Sequence, residues 1–108
     1  MIARGSLVTI AIAGNFGKPR PALVVQSDVF DVLQSVTVLL ISSRLVDAPL
    51  LRITIEPDEK NGLKKVSQVM VDKIMTVKSS KIGTQLGYLD SKKMLEIERS
   101  LAVFLGIA

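Results

Sequence analysis

The pentapeptide Gly17-Lys18-Pro19-Arg20-Pro21 sets two cations among two prolines at the mouth of an apolar run. Proline fixes φ at roughly −65° and removes a backbone donor. The segment is therefore stiff, and Arg20 is held at a strand edge. A guanidinium presents a planar fork of donors that fits a phosphate bidentately. Two other places carry related chemistry. Ile41-Ser42-Ser43-Arg44 puts two hydroxyls and a cation where the most apolar run ends, and Asp72 interrupts Val69-Met70-Val71, which makes it outward-facing or paired. Each feature also has a plainer reading: a solvated arginine in a rigid turn, strand-end caps at Ser42 and Ser43, and a surface carboxylate at Asp72.

Composition narrows the choice of chemistry. The chain has 108 residues, no cysteine and no histidine. Disulfides, thiolate zinc sites and thiol nucleophiles are excluded, as are Ser-His-Asp triads and imidazole acid–base pairs. Any catalyst must use Arg, Lys, Asp, Glu, Ser, Thr or the single tyrosine. Gly14-Asn15-Phe16-Gly17 lacks the spacing of a phosphate-binding loop, and Asp58-Glu59 lacks the further oxygen ligands of a calcium loop. The expectation is accordingly no metal and no cofactor. Fourteen Lys and Arg against ten Asp and Glu leave a net charge of +4, a mild basic balance that permits a polyanionic partner. Phe16 and Tyr88 have the rings to stack on bases, and equally to pack.

These groups need elements to hold them. Leu7–Ala13, Ala22–Gln26, Ser35–Ile41, Leu51–Ile55 and Val66–Val71 read as strands, and Gly87-Tyr88 closes a short one. Asp28–Leu33 is ambiguous and fits one helical turn. From Asp90 the period changes: Met94, Ile97, Leu101, Phe104 and Leu105 fall on one helical face, with Asp90 or Ser91 as N-cap and Gly106 as the stop. Five or six short strands followed by one helix, without βαβ alternation, predict a mostly β (α+β) fold: a small antiparallel barrel with the helix packed on it. One domain over 1–108 is expected from the length. No targeting or membrane-spanning segment is expected, which makes the cytoplasm the default location.

Taken in order along the chain, these blocks resemble the MazF/PemK family of toxin endoribonucleases. Gly5-Ser6-Leu7-Val8 is similar to the family's opening strand, although Ser6 replaces the usual Asp. Lys18-Pro19-Arg20-Pro21-Ala22-Leu23-Val24-Val25 resembles its Arg-Pro-hydrophobic strand, and Thr37–Ser43 its strand ending in Thr-Ser. Asn61-Gly62-Leu63 with Ser67-Gln68-Val69-Met70-Val71-Asp72-Lys73, then Lys81-Ile82-Gly83, Gly87-Tyr88-Leu89-Asp90 and Leu105-Gly106, complete the match.

The resemblance implies an SH3-like barrel, CcdB/MazF-like, with a C-terminal helix. It implies a homodimer that cleaves single-stranded RNA without a metal and is neutralised by an acidic, MazE-like antitoxin protein. By position, Arg20 is the catalytic arginine, Ser42 stands where most members have a catalytic threonine, and Asp72 matches an acid that some members use. Lys18, Ser43, Arg44, Phe16 and Lys73 are the expected RNA contacts. Two alternatives stay open at this point. One is a CcdB-like DNA gyrase poison, which shares the fold. The other is a non-catalytic small-barrel binding module.

Overall fold

In a computed structural model, which describes residues 2–12 and 18–108, the described residues form six strands and one α-helix. These are β1 (Ser6–Ile10), β2 (Arg20–Val24), β3 (Ser35–Ser42), β4 (Arg52–Ile55), β5 (Ser67–Lys78), β6 (Ile82–Tyr88) and α1 (Ser91–Leu105). Short 3-10 turns at Asp28–Phe30 and Ser79–Lys81 join β2 to β3 and β5 to β6. Every pairing is antiparallel, in the order β4-β5-β3-β2-β1-β6. The fold is the expected mostly β arrangement with a C-terminal helix. Its barrel-like sheet is not closed, since β4 and β6 are its two edges.

The continuous apolar runs of β1 to β3 have a direct explanation: both faces of these strands are buried. On one face, Leu7, Leu23, Leu39 and Ile41 pack with Ile53, Ile55, Val69, Val71, Leu89 and the helix residues Met94 and Ile97. On the other, Val8, Ile10, Ala22, Val24 and Val38 pack with Val77, flanked by Ile2, Ile12, Leu40, Met75 and Ile82.

β5 serves both clusters, and a bulge lets it do so. Its outer half pairs in steady register from Ser35↔Lys78 to Leu39↔Ile74, and pairing resumes at Ile41↔Val69. Leu40 alone therefore faces four β5 residues, Met70 to Lys73. The excess is three, an odd number, so it reverses which alternate residues face which side. Val69 and Val71 enter the helix-side cluster, whereas Met75 and Val77 join the other. Asp72 lies inside the bulge. Seven β5 residues beyond Val71 that the sequence reading leaves unassigned, Asp72 to Lys78, continue this strand. Ile82 to Leu86 likewise extend the expected short strand at Gly87-Tyr88.

α1 starts and stops as its caps dictate. The Asp90 carboxylate accepts the Lys93 N–H at 2.8 Å, and Gly106 takes the left-handed conformation at φ 75°. Met94 and Ile97 are buried. Phe104 and Leu105, expected on the same inner face, are instead 43% and 48% exposed. They lie in the last turn of the helix, beyond Leu101, its last residue packed on that cluster.

The Asn61-Gly62-Leu63 block has a structural cause. The buried Asn61 amide accepts the Leu63 and Asp58 N–H groups and donates to the Glu56 carbonyl. Gly62 has φ +69°, and an added Cβ would collide with the Leu86 carbonyl on β6.

Candidate active site

Residues directly opposed in an antiparallel pair project to the same face of the sheet. Ser42 opposes Gln68, and Gln68 opposes Thr54. On the other side, Ala22 opposes Leu40. Carrying that register two residues further sets Arg20 across from Ser42, while Ile10 opposes Arg20. One row therefore crosses five strands on a single face: Ile10, Arg20, Ser42, Gln68 and Thr54. Arg52 opposes Met70 in the neighbouring row, and its guanidinium reaches the Asp72 carboxylate. By this extended register the two residues with the strongest sequence case, Arg20 and Ser42, fall opposite each other at the start of β2 and the end of β3.

Both are half-buried at strand ends. Arg20 opens β2, where the two prolines stiffen its approach. Ser42 ends β3, and its Oγ accepts the backbone N–H of Arg44 at 3.0 Å. That bond engages a lone pair of the hydroxyl and leaves its O–H to be donated elsewhere. It also turns the chain so that Ser43 and Arg44 follow on an exposed loop. Thus Ser42 caps the strand end while its O–H stays available as a donor.

Asp72 is paired rather than free. Its Oδ1 accepts from Arg52 Nη1, and Lys73 Nζ lies 3.9 Å from Oδ2. Burial raises a carboxyl pKa. Here the hydrogen bond from Arg52, a backbone hydrogen bond and the charges of Arg52 and Lys73 outweigh burial, and hold Asp72 below the usual 3.8. Asp72 is therefore an anion at neutral pH and a weak base. Arg52 also donates to the Leu51 carbonyl at 3.2 Å, which fixes the guanidinium at the end of β4.

Among the expected RNA contacts, Lys18, Ser43, Arg44 and Lys73 are exposed, and Phe16 lies outside the described residues. Lys73 neighbours Asp72, on the far side of the Ser42–Gln68 rung. Sequence reasoning singles out neither Arg52 nor Gln68. Both sit in alternating patterns, Leu51-Arg52-Ile53-Thr54-Ile55 and Ser67-Gln68-Val69-Met70-Val71, that assign them to the face away from the helix-side cluster. Only the β4–β5 and β3–β5 registers say what they meet there.

A cleft of about 830 Å³ lies at the other end of β2 and β3, lined by Val24, Gln26, Ser35 and Lys78 among others. None of Arg20, Ser42, Asp72 or Arg52 lines it. Arg52 and Lys73 flank the Asp72 carboxylate, and with Arg20 and Arg44 on the neighbouring strand ends they give this part of the sheet a basic character suited to a polyanion. Among the described residues no group of acidic side chains is placed to hold a metal ion. No helix among them is long and apolar enough to cross a membrane.

Comparison with known proteins gives the same picture over nearly the whole chain. Residues 3–105 match the model of the PemK-like, MazF-like toxin of type II toxin-antitoxin systems. A curated relative from Mycolicibacterium smegmatis, named "Probable endoribonuclease MazF", is 47% identical over 106 residues, covering 97% of each chain. Among solved structures, a mycobacterial endoribonuclease in complex with its cognate antitoxin superposes with a TM-score of 0.85 at 21% identity, over 100% of this chain and 98% of that one. The Mycobacterium tuberculosis toxin MazF-mt6 gives 0.81 at 21% identity, over 95% and 98%. A MazE-MazF structure from Deinococcus radiodurans gives 0.80 at 24% identity, over 99% and 97%. The sequence match over residues 3–105 and the 47% identical relative establish the family: this chain belongs to the PemK-like, MazF-like toxins of type II toxin-antitoxin systems.

Proposed function

We propose that this protein is a toxin endoribonuclease that cuts single-stranded RNA without a metal ion, acts in the cytoplasm as one domain over residues 1–108, and is neutralised by an acidic antitoxin. What supports the reading most is the β2–β3 register, which, carried two residues beyond Ala22↔Leu40, sets Arg20 across from Ser42 among basic residues. The reaction is attack of a ribose 2′-oxygen on the adjacent phosphorus. The new P–O2′ bond forms as the P–O5′ bond breaks, the 2′ proton leaves, and the 5′-oxygen gains one. The products are a 2′,3′-cyclic phosphate and a 5′-hydroxyl end.

Negative charge grows on the phosphoryl oxygens in the transition state, and fixed donors aimed at it supply the largest stabilisation. Arg20 is always charged and can bond two oxygens at once. Ser42 adds one O–H, which remains available for donation because the Arg44 N–H engages only a lone pair of its oxygen. Lys18, Ser43 and Arg44 hold the flanking phosphates, and part of the rate comes from alignment of the 2′-oxygen with its leaving group. Asp72 contributes by holding Arg52. A carboxylate with a lowered pKa takes a proton poorly, but it fixes a second guanidinium beside the substrate face.

The same basic face attracts a flexible segment rich in Asp and Glu, which orders on binding and excludes RNA. We further propose that two copies associate. Val103, Phe104, Leu105 and Ile107 leave the C-terminal end of the helix apolar and exposed. Light scattering of the free protein at micromolar concentration is expected to read the mass of two chains; a monomeric mass contradicts this.

Arg20→Ala should fold normally and lose cleavage by a factor on the order of 10²–10³, the usual cost of one charge-stabilising donor. Arg20→Lys should recover little, because a point charge lacks the fork. Ser42→Ala should cost less, Ser42→Thr should be tolerated, and EDTA should change nothing. Cleavage at the wild-type rate by Arg20→Ala contradicts the site.

The Arg52–Asp72 pair makes a separate prediction about pH. A carboxyl that titrates below 3.8 when folded adds stability above that pH and loses it as pH falls through the folded value. Urea denaturation should find Asp72→Asn less stable than wild type at pH 7, with the gap closing below pH 3.8. A gap independent of pH contradicts the pairing.

A further inference from the structure

Gln68 is nearly fully buried, at 6% exposure, in the middle of the row that carries Arg20 and Ser42. An uncharged amide costs free energy to bury unless its donors and acceptor are used. Here they are. The Gln68 Oε1 accepts the Val46 N–H at 3.0 Å, and its Nε2 donates to the Val46 carbonyl at 3.1 Å. A longer contact of 3.4 Å reaches the Thr54 hydroxyl on β4. The side chain thus binds one loop residue by both of its backbone groups, as a neighbouring strand would.

The residue so held sits in the segment that leaves Ser42. Ser42 is the cross-strand partner of Gln68, the Ser42 Oγ accepts the Arg44 N–H, and Val46 follows two residues later. The loop is therefore tied at two successive points, one at the hydroxyl and one at the buried amide. Ser43 and Arg44 lie on and between these ties. Val46 itself is 44% exposed, so its backbone groups can turn to water if the amide is removed. Losing the clamp frees the loop without leaving orphaned groups in a core.

We propose that Gln68 is a positioning residue for RNA cleavage: it clamps the Ser43–Val46 loop to β5 and so holds Arg44 and the Ser42 hydroxyl in their working orientation. This rests on the reading that Arg20, Ser42 and Arg44 act on RNA. The clamp itself is a statement about the loop and is measurable without substrate.

The test uses Gln68→Met, which keeps the length and apolar stem but has no amide, with Gln68→Glu as a second variant that keeps the acceptor for the Val46 N–H. Three readouts are taken on the whole protein. Amide hydrogen exchange at Val46 and Arg44 should speed up in Gln68→Met while exchange at Val69 and Val71 stays slow. Unchanged exchange at Val46 overturns the clamp. Cleavage per folded molecule should fall on the order of 10–100-fold, as misplacement of substrate-positioning groups does. A wild-type rate overturns the positioning role. Finally, the effect of Arg44→Ala should be largely lost in the Gln68→Met background, because a loose loop no longer places the guanidinium. Independent, multiplicative losses overturn the coupling. If Gln68→Met does not fold, cleavage and the Arg44→Ala cycle in Gln68→Glu decide: the carboxylate still accepts the Val46 N–H but has no donor for the Val46 carbonyl, so a fall in cleavage is expected and a wild-type rate overturns the positioning role. Full cleavage by Arg20→Ala alongside fast Val46 exchange in the Gln68 variant separates a failed site reading from a failed clamp.

Discussion

β5 has to face two apolar clusters along one strand, and a regular strand cannot do that, because its alternate residues keep to fixed sides. The three-residue excess opposite Leu40 resolves the conflict by reversing the alternation midway. Most of the molecule depends on this bulge. Val69 and Val71 pack in the cluster that holds the helix residues, and Met75 and Val77, beyond the bulge, pack with β1 to β3. The bulge also holds the one carboxylate of the strand. Asp72 stands there, and Arg52 from the edge strand neutralises it.

The site grows out of the same pairing. Once Ile41 and Val69 face the helix-side cluster, Ser42 and Gln68 must face away from it, and Thr54 with them. Arg20 reaches that row because β2 enters the sheet against β3 in a register that brings strand start against strand end. Its stiff, proline-bounded approach supplies the rest. The result sets half-buried Arg20 and Ser42 beside the exposed Ser43 and Arg44, where an extended chain of phosphates can lie. Such a surface stabilises developing charge by preorganised donors, and it equally suits an acidic protein segment.

Much of this was legible in the sequence, for identifiable reasons. The helix announced itself through Asp90, the Met94-Ile97-Leu101 spacing and Gly106. The strands β1 to β3 were visible as branched apolar runs, and Arg20 stood out because prolines on both sides leave it little freedom. Asp72 was recognisable as paired or outward-facing, but its partner was not, since Arg52 lies twenty residues away and meets it only through the β4–β5 register. Gln68 looked like an ordinary polar position on an alternating strand. Its buried amide acquires meaning only from Val46, a loop residue whose location no local pattern encodes. The second half of β5 was missed because Asp72-Lys73 reads as a strand end, whereas it is the bulge. Phe104 and Leu105 kept helical period with the core residues yet point beyond the sheet, since period fixes a face but not how far the packing surface extends.

The account stands on the 2′-oxygen as nucleophile, with Arg20 and Ser42 stabilising the charge that its attack creates. An RNA substrate with one mapped cut site, synthesised with a single 2′-deoxy sugar on the 5′ side of the scissile phosphate, tests this most directly. The all-ribose control should yield a 2′,3′-cyclic phosphate and a 5′-hydroxyl end, and the 2′-deoxy substrate should bind but remain intact at that position. Cleavage of the 2′-deoxy substrate at the same bond would contradict the account.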